Sequence, residues 1–254
     1  MMLIATLRTA VFYLFVVPFT FAWAAVFGLF AFLIPYPLRN KIVIGGWARV
    51  LHFLTVFILG IRCNVHGREN IPKQAGVIIS NHQSAWETYY LQILFAPQSQ
   101  VAKSSLLKIP IFGWTFSLMR PISINRAYRR QAMSQVIEQG SQRIAEGSFV
   151  LIFPEGTRAR PGFPLPFRKG GVLLAKEAQC HVIPVTHNGG EYWLNDRFAK
   201  LPGTIDIYIH PSVNSVDKAA DALLAEVETT ITSKLDEITN KTGYTSQLEV
   251  ANRS

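Results

Sequence analysis

A histidine and a glutamate with a spacing of five are the first side chains in this sequence that could support catalysis. His82 and Glu87 stand in the segment NHQSAWE, which follows the apolar run 77–79 and opens a predicted helix. Histidine titrates near neutral pH and can remove a proton as a general base. If the chain turns between the two residues, the carboxylate can fix the imidazole tautomer and stabilise the imidazolium that forms. A simple capping turn, with Asn81 or Ser84 as the cap, is the alternative interpretation.

The hexapeptide FPEGTR at residues 153–158 is the second candidate, and it too follows a strongly apolar run. Glu155 adds a carboxylate, and Gly156 permits a tight turn close to a ligand. Thr157 and Arg158 supply hydrogen-bond donors that suit a phosphate, which a guanidinium can bind through two parallel bonds. The alternative is a surface turn with a solvated arginine.

Positive charge is concentrated around both motifs. No acidic residue stands between Glu87 and Glu138, and none between Glu155 and Glu177. Such clusters attract anionic ligands or anionic lipid, although a solvated basic face would have the same composition. The basic residues in these two intervals are Lys103, Lys108, Arg120, Arg126, Arg129 and Arg130, followed by Arg158, Arg160, Arg168, Lys169 and Lys176.

The composition points towards a membrane. Of the 254 residues, 49% are hydrophobic and 16% are charged, below the roughly 25% usual for soluble domains. The net charge of +9 suits an anionic membrane or an acidic substrate. We expect no nucleic-acid partner, because no such binding motif is present. There is no serine-hydrolase elbow, and His181 and His187 lack the spacing of metal ligands, so we predict no metal site.

The N-terminal segment predicts a membrane helix. Residues 10–38 carry no charge, and about 20 apolar residues suffice to cross a bilayer. A signal peptide has a shorter apolar core, of about 7–15 residues, which leaves a buried core helix as the alternative. Pro35 and Pro37 should end the helix. A second apolar stretch, 50–61, is short for a span and could lie on the membrane or form a hairpin with the first helix.

Beyond residue 62, short apolar runs alternate with helical patterns. Strands are predicted at 77–79, 149–153, 182–185 and 205–209, and helices at 84–95, 128–146, 169–179 and 217–239. This alternation predicts an α/β fold with a mixed, largely parallel sheet flanked by helices. The expected organisation is a membrane-associated helical segment at 1–61, an α/β domain at 62–240 and a polar tail at 241–254.

The order of these motifs resembles the 1-acyl-sn-glycerol-3-phosphate acyltransferase family over roughly residues 62–215. The resemblance is carried by His82 with Glu87, by FPEGTR and by the segment VIPV at 182–185. The segments KIPIFGW at 108–114 and PFRKGG at 166–171 also look like that family. Two positions depart from its usual pattern, since Glu87 and Asn125 stand where the family usually has aspartate.

The resemblance implies direct transfer of an acyl group from acyl-CoA or acyl carrier protein to the sn-2 hydroxyl of lysophosphatidic acid. His82 would be the base and Glu87 its partner, with no cofactor, and backbone amides at the start of the helix would stabilise the oxyanion. The implied substrate-binding residues are Lys103, Arg126, Glu155, Gly156, Thr157 and Arg158, with Pro184 in the pocket wall. The protein would lie in a bacterial-type inner membrane with its catalytic domain facing the cytoplasm.

Three alternatives remain open from the sequence alone. The same fold could act on another lyso-lipid acceptor, such as a lyso-ornithine lipid. A non-catalytic lipid-binding protein would leave the paired His82 and Glu87 unexplained. A structural membrane anchor would leave the paired basic and glycine-rich motifs unexplained.

Overall fold

The computed structural model describes residues 2–118, 120–124 and 129–239. Arg126, the arginine expected to bind substrate, and the expected tail at 241–254 lie outside these residues, as does the side chain of Lys103.

An eight-stranded mixed sheet forms the centre of the molecule, as the sequence predicts. Its order is β1-β7-β6-β2-β5-β3-β4, and β8 also pairs with β6. Neighbouring strands are parallel except where β6 meets β7 and β8. The strands are β1 (Ile61–His66), β2 (Val77–Ser80), β3 (Gln98–Lys103), β4 (Ile122–Ile124), β5 (Phe149–Ile152), β6 (His181–His187), β7 (Gly203–Ile209) and β8 (Val213–Asn214).

Helices cover both faces of the sheet. They are α1 (Met2–Phe30), α2 (Tyr36–Arg39), α3 (Gly45–Leu54), α4 (Trp86–Leu94), α5 (Phe112–Ser117), α6 (Arg129–Ala145), α7 (Gly170–Glu177) and α8 (Ala220–Ile238). Successive side chains of β2 alternate between the faces, as a strand requires. Ile78 belongs to the core that contains the N-terminal helices, whereas Val77 and Ile79 pack in the core of α6, α7 and α8.

The N-terminal helices form a hairpin. Its second helix runs over Asn40–Leu59, with α3 at its centre, and so begins about ten residues before the apolar stretch expected from the sequence. In the sequence, polar residues within 40–49 interrupt the apolar pattern of that first part. The indole of Trp23 donates to the Val43 carbonyl at 2.9 Å, and that of Trp47 donates to Thr20 at 3.1 Å. By length and composition, Met2–Leu33 and Asn40–Leu59 could each cross a membrane, which is consistent with membrane association.

The hairpin also packs along the sheet domain over its whole length. Phe12, Leu51 and Leu59 lie in one buried cluster with Ile78 and Trp86. The second helix joins β1 at one end. At its other end, the Asn40 amide donates to the Gln98 carbonyl at 3.1 Å. Both ends of the second helix are therefore fixed to the same side of the domain.

Candidate active site

His82 lies in the turn between β2 and α4, where Glu87 holds its imidazole. The distance from His82 Nδ1 to Glu87 Oε1 is 2.8 Å. The imidazole also stacks on the Phe153 ring at the end of β5, with ring centroids 4.0 Å apart. Because Nδ1 is engaged by the carboxylate, Nε2 is the nitrogen that can take a proton from a substrate. The structure thus brings together the two residues that were predicted to form the catalytic pair.

The carboxylate of Glu87 is fully buried and organises the whole turn. Its Oε1 also accepts the backbone N–H groups of Gln83 at 2.8 Å and Ser84 at 2.7 Å, and its Oε2 accepts the Ser84 hydroxyl. Burial by itself raises the pKa of this carboxyl, but the imidazoles of His187 and His82 and the Ser84 hydroxyl outweigh burial and lower the pKa to about 2. Glu87 therefore stays ionised at neutral pH and can stabilise a protonated His82.

Most amides of the turn that leads into α4 are not free to bind an oxyanion. Four of the five amides from His82 to Trp86 donate within the protein, to Glu155, to Glu87 twice and to the Ser84 hydroxyl. The buried carboxylates need such donors. The use of helix-start amides for the oxyanion therefore stays a prediction, which only the remaining amides of the first turn of α4 could fulfil.

Glu155 contacts the main chain of His82. Its Oε1 accepts the His82 N–H at 3.0 Å, and its buried Oε2 has no hydrogen-bond partner among the described residues. Burial raises the pKa of Glu155 to about 7, and the nearby negative charge of Glu87 also raises it. Glu155 was expected to bind substrate. In the structure it lines a cavity of about 280 Å³ beside α8, away from the imidazole ring.

Glu155 should make stability depend on pH. Between about pH 4.5 and about pH 7 the unfolded chain releases the Glu155 proton while the folded protein retains it, so the free energy of unfolding falls as pH rises. The full effect is on the order of 3 kcal/mol. Glu155→Gln should remove this pH dependence of the free energy of unfolding. Glu69→Gln, at an exposed site, should leave it unchanged. Thermal unfolding of each detergent-solubilised variant across this range measures the effect, and parallel profiles for wild type and Glu155→Gln would contradict it.

Two cavities meet at His82 and Phe153. The first, here called the hairpin cavity, has a volume of about 340 Å³ and reaches the N-terminal helices. The second, the α6 cavity, has a volume of about 510 Å³ and extends between the sheet and α6. The hairpin cavity is lined by residues that include Thr20, Trp23, Val43, Trp47, Gln92 and Arg158, and the α6 cavity by residues that include Val101, Ile124, Val136, Ile152, Gly156 and Arg168.

The remaining predicted site residues take different places. Arg158 lines the hairpin cavity and hydrogen-bonds to Asn195, while Gly156 lines the α6 cavity with a φ of 73°. Thr157 is exposed and lines neither cavity. Lys103 ends β3. Pro184, expected in the pocket wall, is buried within β6 beside Ile79 and lines neither cavity.

Several site residues have no clear signal in the sequence. Arg168 belongs to a basic interval and to the PFRKGG segment but is not among the predicted site residues, yet it lines a cavity with His82. His187 was considered only as a metal ligand, but it is buried and fastened to Asn81. The Asn81 amide donates to the His187 carbonyl at 2.8 Å and accepts the His187 N–H at 3.0 Å. These two hydrogen bonds join the end of β2 to β6. The NHQ segment alone does not predict them, because they depend on β2 and β6 being neighbours in the sheet.

Comparisons with known proteins agree with this geometry. A family model described as Acyltransferase matches residues 62–188. A 1-acyl-sn-glycerol-3-phosphate acyltransferase of Pseudomonas aeruginosa is 40% identical over 220 residues, which cover 87% of this chain and 86% of the relative. A 1-acyl-sn-glycerol-3-phosphate acyltransferase of Limnanthes douglasii is 31% identical over 206 residues, which cover 80% of this chain and 71% of the relative.

A solved structure shows the same fold. The crystal structure of the acyltransferase PlsC from Thermotoga maritima aligns with a TM-score of 0.76 at 24% identity, over 92% of this chain and 97% of that one. By sequence and by fold, the chain belongs to the 1-acyl-sn-glycerol-3-phosphate acyltransferase family.

Proposed function

We propose that this protein transfers a fatty acyl group from acyl-CoA or acyl carrier protein to the sn-2 hydroxyl of 1-acyl-glycerol-3-phosphate, which yields phosphatidic acid. The observation that carries the proposal is a histidine that a buried carboxylate orients at the junction of two cavities. A two-substrate transfer needs such a junction, because the hydroxyl and the thioester must meet at one base.

In the proposed reaction His82 takes the proton of the hydroxyl as the oxygen attacks the thioester carbonyl. Glu87 stabilises the imidazolium that forms. The proton then passes to the departing thiolate. A thioester is already activated, so no covalent acyl-enzyme is required, and general-base assistance of this kind contributes about 10²–10⁴-fold.

Acceptor and donor differ in where they come from. Lysophosphatidic acid resides in the bilayer, and the hairpin cavity is the one lined by the apolar N-terminal helices. We therefore assign this cavity to the acceptor, with its phosphate on Arg158 and its acyl chain beside Trp23 and Trp47. The α6 cavity, lined by Ile124, Val136 and other apolar residues, is then left for the acyl chain of the donor.

The test is release of free thiol from an acyl thioester by purified protein, with the lipid product identified. Lysophosphatidic acid should support turnover and give phosphatidic acid. Lyso-ornithine lipid is tested as the alternative acceptor. Turnover with lyso-ornithine lipid and none with lysophosphatidic acid would show that the proposed acceptor is wrong. Absence of thiol release with every acceptor would favour a lipid-binding protein.

Arg158→Ala should act mainly through the acceptor. A guanidinium on a phosphate stabilises ground and transition states alike, so the KM for lysophosphatidic acid should rise about 10- to 100-fold with a smaller fall in kcat. Arg160→Ala is the matched control, since Arg160 is exposed and paired with Asp196 at 3.4 Å. A change in the KM for the acyl donor alone would show that Arg158 binds the donor and not the phosphate of the acceptor.

We propose that the hairpin lies along the cytoplasmic leaflet of an inner membrane and does not cross it. Both ends of its second helix are fixed to one side of the sheet domain, at Asn40 and at Leu59. The outward faces, with Leu14, Phe15 and Phe57 exposed, would enter the lipid. This arrangement favours the hairpin alternative over a spanning helix.

The membrane proposal predicts two results. The full chain should stay with membranes through high-salt and carbonate washes, because apolar burial is insensitive to salt. A cysteine placed at the hairpin tip by Leu33→Cys, in a Cys63→Ser and Cys180→Ser background, should not react with an impermeant maleimide added from the periplasmic side. Labelling from that side would mean that the hairpin spans the bilayer.

A further inference from the structure

We infer that Arg168 is a catalytic residue that donates hydrogen bonds to the carbonyl oxygen of the acyl thioester as that oxygen becomes an oxyanion. The inference rests on the proposed acyl transfer and adds one residue to its machinery. Attack by the hydroxyl forms a new O–C bond and moves the carbonyl π electrons onto oxygen. The negative charge is released when the C–S bond breaks and the thiolate takes the proton held by His82.

Most backbone donors in the turn around His82 are already used within the protein. Four of its five backbone amides donate to Glu155, Glu87 and Ser84. The fifth belongs to Ala85, which lines neither cavity. A side-chain donor that lines the α6 cavity beside His82 could therefore bind this oxyanion.

Arg168 lines the α6 cavity together with His82. Its backbone N–H donates to the Pro154 carbonyl at 3.0 Å, which ties the base of the side chain to the FPEGTR turn. The guanidinium lies against Gly156, because a Cβ added there would stand 2.8 Å from Arg168 Nη1. The absence of a side chain at Gly156 therefore leaves room for the guanidinium of Arg168.

The guanidinium of Arg168 is available to a ligand. It is exposed and has no hydrogen bond or ion pair with any described residue. In contrast, Arg158 bonds to Asn195 and Lys169 pairs with Asp221. A guanidinium remains charged at every relevant pH and presents five donors.

The cavity also fits the thioester end of the donor. Its apolar wall would hold the acyl chain, so the carbonyl lies at the end of the cavity where His82 meets the hydroxyl. Gly170, the first residue of α7, lines the same cavity, and the partial positive charge at the start of that helix adds to the field. Both features favour negative charge at this end.

The test is steady-state thiol release by Arg168→Ala, with Arg168→Lys and Lys169→Ala as companions. Loss of one oxyanion donor typically lowers kcat about 10²–10³-fold, so Arg168→Ala should lose about 10²-fold in kcat while the KM for the acceptor changes less than about twofold. Methylguanidinium added to Arg168→Ala should restore part of kcat, because the cavity is open to solvent. Arg168→Lys should be intermediate, and Lys169→Ala should resemble wild type.

Three results would overturn the inference. The first is activity of Arg168→Ala within about threefold of wild type. The second is a loss confined to the KM for the acceptor, which would make Arg168 a phosphate ligand. The third is a loss in kcat that neither methylguanidinium nor Arg168→Lys recovers, which is the result of structural damage. Wild-type turnover with a different acceptor would refute the proposed function and leave this test intact, because the readout is thiol release with whichever acceptor is used.

Discussion

His82→Ala is expected to lower kcat by about 10³-fold while leaving the fold intact. The substitution removes the base that takes the proton of the acceptor hydroxyl, and general-base catalysis contributes about 10²–10⁴-fold. The backbone of the turn should persist, because Glu87 still accepts the Gln83 and Ser84 amides. Thiol release under saturating substrates measures the effect, and thermal unfolding of the detergent-solubilised protein checks the fold.

The control for this substitution is His181→Ala. His181 is exposed at the start of β6 and far along the strand from the site. It should keep wild-type activity. If His82→Ala retained activity within tenfold of wild type, His82 would not be the base.

Glu87→Gln is expected to lower kcat by about 10²-fold, less than the loss of the base itself. The amide can still accept hydrogen bonds from the turn, but it has no negative charge to stabilise the imidazolium and it can favour the wrong tautomer. Because the pKa of Glu87 is near 2, the wild-type carboxylate is ionised throughout the working range, and the variant removes that charge at every pH.

Glu87→Asp separates charge from shape. It keeps a carboxylate, so it should retain more activity than Glu87→Gln even though the shorter side chain must reach the donors now at 2.7 to 2.8 Å. Full activity in Glu87→Gln would show that the pair is structural and that the mechanism is wrong.

The sequence predicts the contact between His82 and Glu87 well because its geometry is local. His82 and Glu87 are joined by one turn, and the apolar run before them fixes that turn at the carboxyl end of a strand. The role of Glu155 could not be predicted in this way. Its contact with the His82 amide depends on β2 and β5 being neighbours, which only the strand order of the folded sheet decides.

The four predicted helices and four predicted strands are confirmed, whereas four further strands were missed for identifiable reasons. β1 is an edge strand with exposed polar residues at alternate positions, so it has no apolar run. β3 has the sequence QSQVAK, yet Gln98 and Ser99 are buried. The main chain of Gln98 bonds to Asn40 of the hairpin, and the Ser99 hydroxyl lies 3.3 Å from that of Tyr36. Partners so distant along the chain leave no local pattern.

The core that the hairpin shares with the sheet links the proposed membrane contact to the folding equilibrium. Phe12, Leu51 and Leu59 contribute to the same packed cluster as Ile78 and Trp86, so removal of residues 1–40 exposes sheet residues as well as detaching the protein. In the proposed membrane placement, lipid that covers the outer face of the hairpin stabilises the native chain by mass action, to the extent that it binds the native chain better than the unfolded one. The protein should therefore unfold more readily in lipid-poor detergent than in bilayers, and its activity after extraction should follow the lipid supplied.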